Sequence, residues 1–279
     1  MEMIYALLDR LPFDFLQNTF MKNALLAVLC STILFGLIGT LAVDNRMAFF
    51  SDALGHSAMT GIALGVLLGA GNETVCLLAF GILMALLITK LNSGAAASTD
   101  TVISVFSSTA LALGLLLISK NRSAAQYSAY LVGDILSVTA QEVVLLFIAL
   151  VVVLIVWCLV YNKLLLISVN RSLAASRGVH VVFYENLFSI VIAVVVMLSI
   201  KWVGILLINS LLILPAAAAR NIARSVRQYH LLSVLFGVVS GVGGLALSWY
   251  IGASSGATIV MIAAAIFFLS YGGRRLFGR

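Results

Sequence analysis

The sequence predicts an all-α membrane protein whose chain crosses the bilayer about eight or nine times. Of its 279 residues, 63% are hydrophobic and only 9% are charged, whereas about 25% are charged in soluble domains. Apolar runs of about 20 residues, the length that crosses a hydrocarbon core of roughly 30 Å, recur along the chain. Such runs indicate helices, because a β-barrel would show short segments of alternating hydrophobicity.

The apolar runs define the expected elements in order. We predict membrane helices at 21–43, 47–69, 73–91, 101–119, 140–161, 184–200, 202–219, 231–250 and 256–271. Little more than Lys201 separates the sixth run from the seventh, so eight helices is the alternative count. Residues 1–20 are interrupted by charges and a proline and predict an interfacial amphipathic helix, which leaves 21–279 as the transmembrane domain. Residues 127–138 are apolar but short, as expected of a re-entrant or surface-lying segment.

The basic residues indicate the orientation. With the loop at 163–180 in the cytoplasm, eleven of the 16 Lys and Arg residues lie inside and five outside, as the positive-inside rule requires. The C-terminus is then cytoplasmic and, with nine helices, the N-terminus is outside. The net charge of +6 is therefore attributed to membrane topology and to contacts with lipid, and no nucleic-acid partner is expected.

Several functional classes receive no support. The three cysteines are isolated in apolar runs, so neither a disulfide framework nor a thiolate metal cage is expected. The chain has no G-x-x-x-x-G-K-[ST] phosphate loop and no Ser/His/Asp or Cys/His arrangement. We therefore expect no enzyme and no permanently bound cofactor. If transport is driven by ATP, the ATPase must be another polypeptide.

The segment 51–61 places a carboxylate and an imidazole in the second predicted helix. Asp52 and His56 are four residues apart and share one helical face. Ionisable residues at membrane depth are costly and indicate a functional site. A carboxylate with a neutral imidazole suits zinc, iron or manganese. Two ligands are too few for a complete site, but two copies about a two-fold axis would supply four.

Other residues accompany this pair. Met59 and Thr60 lie near the same face and, with Asn209 on a later helix, are candidates for lining a path. The neighbouring face has small residues at 57, 61, 65 and 69, which permit close helix packing. The alternative for Asp52 and His56 is structural, a pair that pins helices together.

Polar residues outside the second helix have simpler interpretations. Asp100 precedes an apolar run and is expected to cap a helix or to lie in its first turn. Asp134 is a surface cap or turn residue, with a role in a cation path as the alternative. His180 and His230 are expected to be solvated or interfacial. Residues 172–177 predict a short helix ended by Gly178, which is either a docking element or an ordinary basic loop.

Several motifs resemble the signature of the zinc/manganese/iron permease family. They are Arg46-Met47-Ala48 leading into 51–56, Gly61-Ile62-Ala63-Leu64-Gly65, Asp100-Thr101 with Phe106-Ser107 and Ala112-Leu113-Gly114, Gly133-Asp134-Ile135-Leu136, and 203–207 running to 212–220. Together they extend in family order from about Met21 to Tyr271.

The resemblance implies a type II ABC importer-like permease in a bacterial plasma membrane. Its homodimer would hold the translocation path, with cytoplasmic ATP-binding-cassette ATPase subunits below and an extracellular or periplasmic metal-binding protein above. Asp52 and His56 correspond to the metal-pathway pair. The 168–179 loop corresponds to the coupling helix that meets the ATPase, through Asn170, Arg171, Ser172, Leu173, Ala174, Arg177 and Gly178.

Three positions depart from the family pattern. Thr60 stands where proline is usual, so the expected bend after His56 is weaker. Gly55 replaces a serine beside the histidine. The coupling loop begins Val169-Asn170-Arg171-Ser172 where an acidic run is usual, which suggests a partner surface of altered charge.

Two rival functions follow from the same residues. An ion-coupled secondary carrier would use Asp52 and His56 as a proton relay, but it would need a matching ionisable pair in an inverted half, which the sequence does not show. A subunit that assembles a membrane complex without transport would use the pair as structural glue.

Overall fold

The computed structural model describes residues 5, 14–67, 69, 73–94, 98–120 and 133–276. Within these residues the chain forms nine helices of 18 residues or more and one short helix, with no strand. The helices are α1 (Thr19–Asp44), α2 (Phe50–Leu67), α3 (Glu73–Gly94), α4 (Thr99–Lys120), α5 (Ala140–Val169), α6 (Arg171–Ser176), α7 (Val181–Val203), α8 (Ile205–Ile222), α9 (Val226–Ile251) and α10 (Ser255–Leu276). The predicted all-α fold is confirmed.

Seven of these helices are long and apolar enough to cross a membrane by length and composition. They are α1, α3, α4, α5, α7, α9 and α10. The other two long helices, α2 and α8, have 18 residues each. The nine long helices found in the described residues correspond to the nine predicted runs, and the prediction of a polytopic membrane protein is confirmed.

The chain divides into two compact units whose boundaries fall inside α1, α5 and α8. The first unit contains 1–40, 133–152 and 210–279, and the second contains 41–132 and 153–209. Each unit therefore combines segments that are far apart in the sequence.

In the first unit, α9 packs against α1 and α10 through small residues. The Ser233 hydroxyl donates a hydrogen bond of 2.6 Å to the carbonyl oxygen of Gly36 on α1. A Cβ atom at Gly244 would lie 2.4 Å from Cα of Ile259 on α10. Small residues thus let the backbones approach, as in other membrane helix pairs.

In the second unit, α2 contacts α3, α4 and α7, and 13 of its 18 residues are buried. The predicted small-residue face is confirmed at Gly61 and Gly65, where added Cβ atoms would lie 3.1 Å from Cβ of Phe80 and 3.0 Å from Cβ of Cys76 on α3. Gly69 lies outside the helix in a turn with φ of 63°. The face of α2 with Gly61 and Gly65 is therefore occupied by α3.

Two predicted boundaries were wrong. The loop expected at 163–180 is shorter, because α5 continues to Val169 through an apolar run after Lys163. Thirty helical residues are about 45 Å long, more than the roughly 30 Å hydrocarbon core, so α5 extends beyond it. The break between α7 and α8 lies at Gly204, whose φ is 83°, whereas Lys201 belongs to the last turn of α7.

His230 was expected to be solvated or interfacial in a loop, and its placement in a loop was wrong. It lies in α9, half-buried, with Nδ1 2.8 Å from Oγ1 of Thr40 on α1. The interfacial helix predicted at 1–20 and the segment at 127–138 lie mostly outside the described residues. Their described ends form short 3-10 turns at Asp14–Gln17 and Ile135–Ser137.

Candidate metal site

Asp52 and His56 face each other along one turn of α2. Nε2 of His56 lies 3.6 Å from Oδ2 of Asp52, too far for a hydrogen bond but close enough for an ion pair. Two ligand atoms held about 2.1 Å from one tetrahedral ion lie about 3.4 Å apart. The spacing therefore suits two neighbouring ligands of one cation.

The local backbone explains the position of the carboxylate. Asp52 lies in the first turn of α2, which begins at Phe50. The N-terminal end of a helix has a partial positive charge that favours an anion. The Asp52 side chain is 39% exposed and that of His56 is 19% exposed. The pair is thus accessible in the single chain although most of α2 is buried.

The second ring nitrogen of His56 has no protein partner among the described residues. Nδ1 is buried and makes no hydrogen bond there. A metal-binding histidine usually donates its other ring N–H to an oxygen atom, which fixes the ring. Gly55, at the position where the resemblance expects serine, supplies no hydroxyl. A Cβ atom there would lie 2.8 Å from Cγ2 of Ile205.

The three further pathway candidates lie in different surroundings. Asn209, on α8, accepts a hydrogen bond of 2.9 Å from the hydroxyl of Ser51, the residue before Asp52. Met59 and Thr60 are 4% and 2% exposed. Thr60 donates a hydrogen bond of 2.6 Å from Oγ1 to the carbonyl oxygen of Ala110 on α4. The structure therefore places Asn209 beside the first turn of α2 and Thr60 in a helix contact.

Asp52 and His56 offer two candidate ligands in one chain. The described residues contain no group of three or more His, Cys, Asp or Glu side chains that could hold a metal ion. α2 is helical through Thr60, from Phe50 to Leu67. A single chain thus presents two candidate ligand side chains on one continuous helix.

The short helix predicted near 172–177 is present as α6. Asn170 is its N-cap and accepts a hydrogen bond of 2.9 Å from the backbone N–H of Leu173 through Oδ1. Gly178 follows it with φ of 76°, the left-handed conformation that favours glycine after a helix. The prediction that Gly178 ends this helix is confirmed, whereas the helix begins at Arg171, one residue before the predicted start.

Apolar packing holds α6 against its neighbours. Ala174 is fully buried in a cluster with Ile167, Val179 and Val181. Leu173, Val182 and Phe183 are 42%, 57% and 60% exposed. The short helix thus has one packed face and an exposed apolar surface beside it.

Sequence reasoning missed an ion pair at α6. Nε of Arg171 donates to Oε1 of Glu185 at 2.9 Å, and its terminal nitrogen donates to Oε2 at 3.0 Å. Fourteen residues separate the two side chains, so no helical spacing pointed to the pair. The opposite charges in a segment otherwise basic were the only available signal.

The remaining polar predictions have clear outcomes. Asp134 caps the 3-10 turn at Ile135–Ser137, accepting from the backbone N–H of Leu136 at 3.0 Å. Asp100 is exposed in the first turn of α4. His180 is exposed at the N-cap of α7. The cap, first-turn and solvated interpretations are confirmed.

A cavity in the second unit was not predicted. It has a volume of about 420 Å³. Its walls include Arg46 in the turn before α2, Phe50 at the start of α2, Asp100 of α4, and the Arg171–Glu185 pair. The cavity thus connects the surroundings of α6 to the segment just before Asp52.

Comparison with known proteins identifies a family for almost the whole chain. Residues 17–273 match the model of the ABC 3 transport family. The chain is 33% identical over 255 residues to the manganese import system permease protein ScaB of Streptococcus parasanguinis, covering 91% of each chain. It is 30% identical to the high-affinity zinc uptake system membrane protein ZnuB of Haemophilus influenzae, covering 88% of this chain and 95% of that protein.

A solved structure has the same fold. PsaBC from Streptococcus pneumoniae, determined in complex with Fab, aligns with a TM-score of 0.82 and 30% sequence identity. The alignment covers 97% of this chain and 95% of that chain. The likeness therefore includes both compact units.

Proposed function

Because this chain belongs to the ABC 3 transport family, we propose that it is the membrane-spanning permease subunit of an ATP-driven importer of divalent transition metals. The observation that supports this most directly is the Asp52–His56 pair, with Nε2 and Oδ2 3.6 Å apart on one turn of α2. Relatives named for manganese import and zinc uptake make these two ions the proposed cargo. The expectation of iron rests on ligand chemistry alone.

The site is proposed to be completed by a second copy. One chain offers a carboxylate oxygen and an imidazole nitrogen, and most bound transition metals need at least four ligands. A two-fold axis beside α2 would bring two Asp52 and two His56 side chains to one ion. The exposure of both side chains in the single chain supports this arrangement.

The ATPase subunit is proposed to dock at α6. A docking surface needs exposed apolar side chains, and Leu173, Val182 and Phe183 supply them. Arg177 is exposed at the end of the helix. The ATPase surface is therefore expected to present apolar side chains together with a carboxylate.

The proposed orientation places α6 and the C-terminus in the cytoplasm of a bacterial cell. The positive-inside rule supports this orientation. Arg171 and Arg177 lie at α6, and Arg274 and Arg275 lie in the last turn of α10. The metal-binding partner would then deliver the ion from the opposite side.

A secondary carrier is the competing function, with Asp52 and His56 as a proton relay. It would transport metal without an ATPase subunit. The family match favours the ATP-driven importer.

The test is uptake by the full chain in vesicles, reconstituted with the ATPase subunit that co-purifies with it. Manganese, zinc and ferrous iron are supplied separately, with and without ATP. Wild type is expected to take up manganese or zinc only with ATP, and Asp52→Ala and His56→Ala are each expected to lower the initial rate at least tenfold. Ser57→Ala is the matched control, because its hydroxyl donates to the carbonyl oxygen of Leu54 on the same helix.

Two results would contradict the proposal. Uptake driven by a proton gradient without ATP would support the secondary carrier. Unchanged ATP-dependent uptake in both alanine variants would reject the site while leaving the importer function in place.

A further inference from the structure

We infer that the Arg171–Glu185 ion pair is a positioning pair that makes α6 move together with α7, and that it is required to couple ATP hydrolysis to metal uptake. The inference rests on the proposed function, since it concerns how an ATPase docked at α6 would act on the permease. It assigns a role to a pair that neither the motifs nor the metal site explains.

α6 depends on its neighbours for its position. A helix of six residues is too short to be stable alone in water. The buried cluster around Ala174 attaches one face to Ile167 and Val181. The ion pair adds a directional constraint, because its two parallel hydrogen bonds of 2.9 and 3.0 Å fix the orientation of the guanidinium as well as its distance.

Glu185 also belongs to a hydrogen-bonded connection that continues to α3. The Ser189 hydroxyl donates a bond of 3.0 Å to the carbonyl oxygen of Glu185. Oγ of Ser189 lies 2.7 Å from Oγ1 of Thr89 on α3. The polar contacts therefore run from α6 through the first turns of α7 to α3.

α3 in turn packs closely on the helix that holds the metal ligands. Gly61 and Gly65 of α2 lie against α3 with little free space. The cavity of about 420 Å³ is bordered by the ion pair, by Thr89 and Ser189, and by Phe50, two residues before Asp52. A displacement of α6 with α7 would thus change both the α3 contact and the cavity beneath the first turn of α2.

The ion pair is partly open to solvent. Arg171 is 49% and Glu185 is 24% exposed, which weakens the attraction between the two charges, although the bidentate geometry makes this pair stronger than most exposed pairs. A positioning role predicts a different result from a stabilising role: the complex should assemble normally but use ATP inefficiently.

The experiment measures manganese taken up per ATP hydrolysed by the full complex in vesicles, with zinc as the alternative cargo. Arg171→Glu and Glu185→Arg are each expected to lower this ratio about tenfold while the ATPase subunit still co-purifies. The double variant, which exchanges the two charges, is expected to restore the ratio to within about twofold of wild type. Thr89→Val, which removes the α7–α3 hydrogen bond without changing charge, is expected to lower the ratio by a smaller factor.

The inference is overturned if the single variants keep the wild-type ratio. It is also overturned if the charge-exchanged variant co-purifies with its ATPase but remains as inefficient as the single variants. Loss of the ATPase from the single variants would overturn it as well, because Arg171 and Glu185 would then be docking contacts. Failure of the wild-type complex to transport metal with ATP would instead reject the proposed function.

Discussion

Nε2 of His56 lies 3.6 Å from Oδ2 of Asp52, a spacing that suits both two ligands of one cation and an ion pair within α2, and these two roles differ in their expected effect on stability. Ion pairs of this kind contribute about 0.3–0.5 kcal/mol to a helix. Asp52→Asn and His56→Gln are therefore expected to change the free energy of unfolding by less than about 1 kcal/mol while abolishing uptake. Thermal unfolding in detergent measures the first effect and ATP-dependent uptake the second. A strongly destabilised protein would instead indicate that the pair pins helices together.

Gly244 and Gly243 provide a matched test of helix packing in the first unit. A Cβ atom at Gly244 would lie 2.4 Å from Cα of Ile259, whereas at Gly243 the nearest atom would be Cδ1 of Ile262 at 3.7 Å. Gly244→Ala is expected to destabilise the protein by about 1–3 kcal/mol, because α10 must move. Gly243→Ala should be neutral or stabilise it by up to about 1 kcal/mol. Equal melting temperatures for the two variants would contradict the packing.

Thr60 tests a hydrogen bond between α2 and α4. Thr60→Val removes the bond to Ala110 with little change in volume, and membrane hydrogen bonds of this kind contribute about 0.6 kcal/mol on average. The free energy of unfolding should fall by about that amount, whereas Thr60→Ser should keep the bond. If valine and serine have the same effect, the hydroxyl is not the stabilising group.

Residues with a helical period or a local cap were predictable from the sequence. Asp52 and His56 were found from their four-residue spacing, and α6 from its 172–177 core and the glycine at 178 that ends it. The helical position of His230 also had a signal that was overlooked. Ser225 accepts from the backbone N–H of Gln228 at 3.3 Å, and Ser-x-x-Gln is a capping-box pattern.

Contacts between distant segments were not predictable from one sequence. The pair Arg171–Glu185 and the bond between Thr89 and Ser189 join residues 14 and 100 positions apart. Neither has a spacing that a helix or a loop would impose, since each arises from tertiary packing. The cavity likewise depends on how six helices and the α1–α2 turn are arranged.

The N-cap of α6 offers a test of local order at the proposed docking helix. Asn170→Ala removes the acceptor for the backbone N–H of Leu173 and should cost about 1 kcal/mol of local helix stability. Asn170→Asp keeps an acceptor and should preserve the helix. Hydrogen exchange across 171–176 measures the effect. Faster exchange in the alanine variant alone is expected, and equal exchange in both would contradict the capping role.

The orientation of the chain in the membrane can be tested with two exposed serines that lie beyond opposite ends of α5. Ser137 lies before α5 begins at Ala140, and Ser176 lies at the end of α6, after α5 ends at Val169. One membrane crossing between them should place Ser137 outside and Ser176 in the cytoplasm. Single cysteines at these positions, in a background with Cys30, Cys76 and Cys158 replaced by alanine, are labelled in intact cells with a membrane-impermeant maleimide. Labelling of Ser137→Cys before permeabilisation and of Ser176→Cys only afterwards is expected, whereas the opposite pattern would place α6 away from any cytoplasmic ATPase.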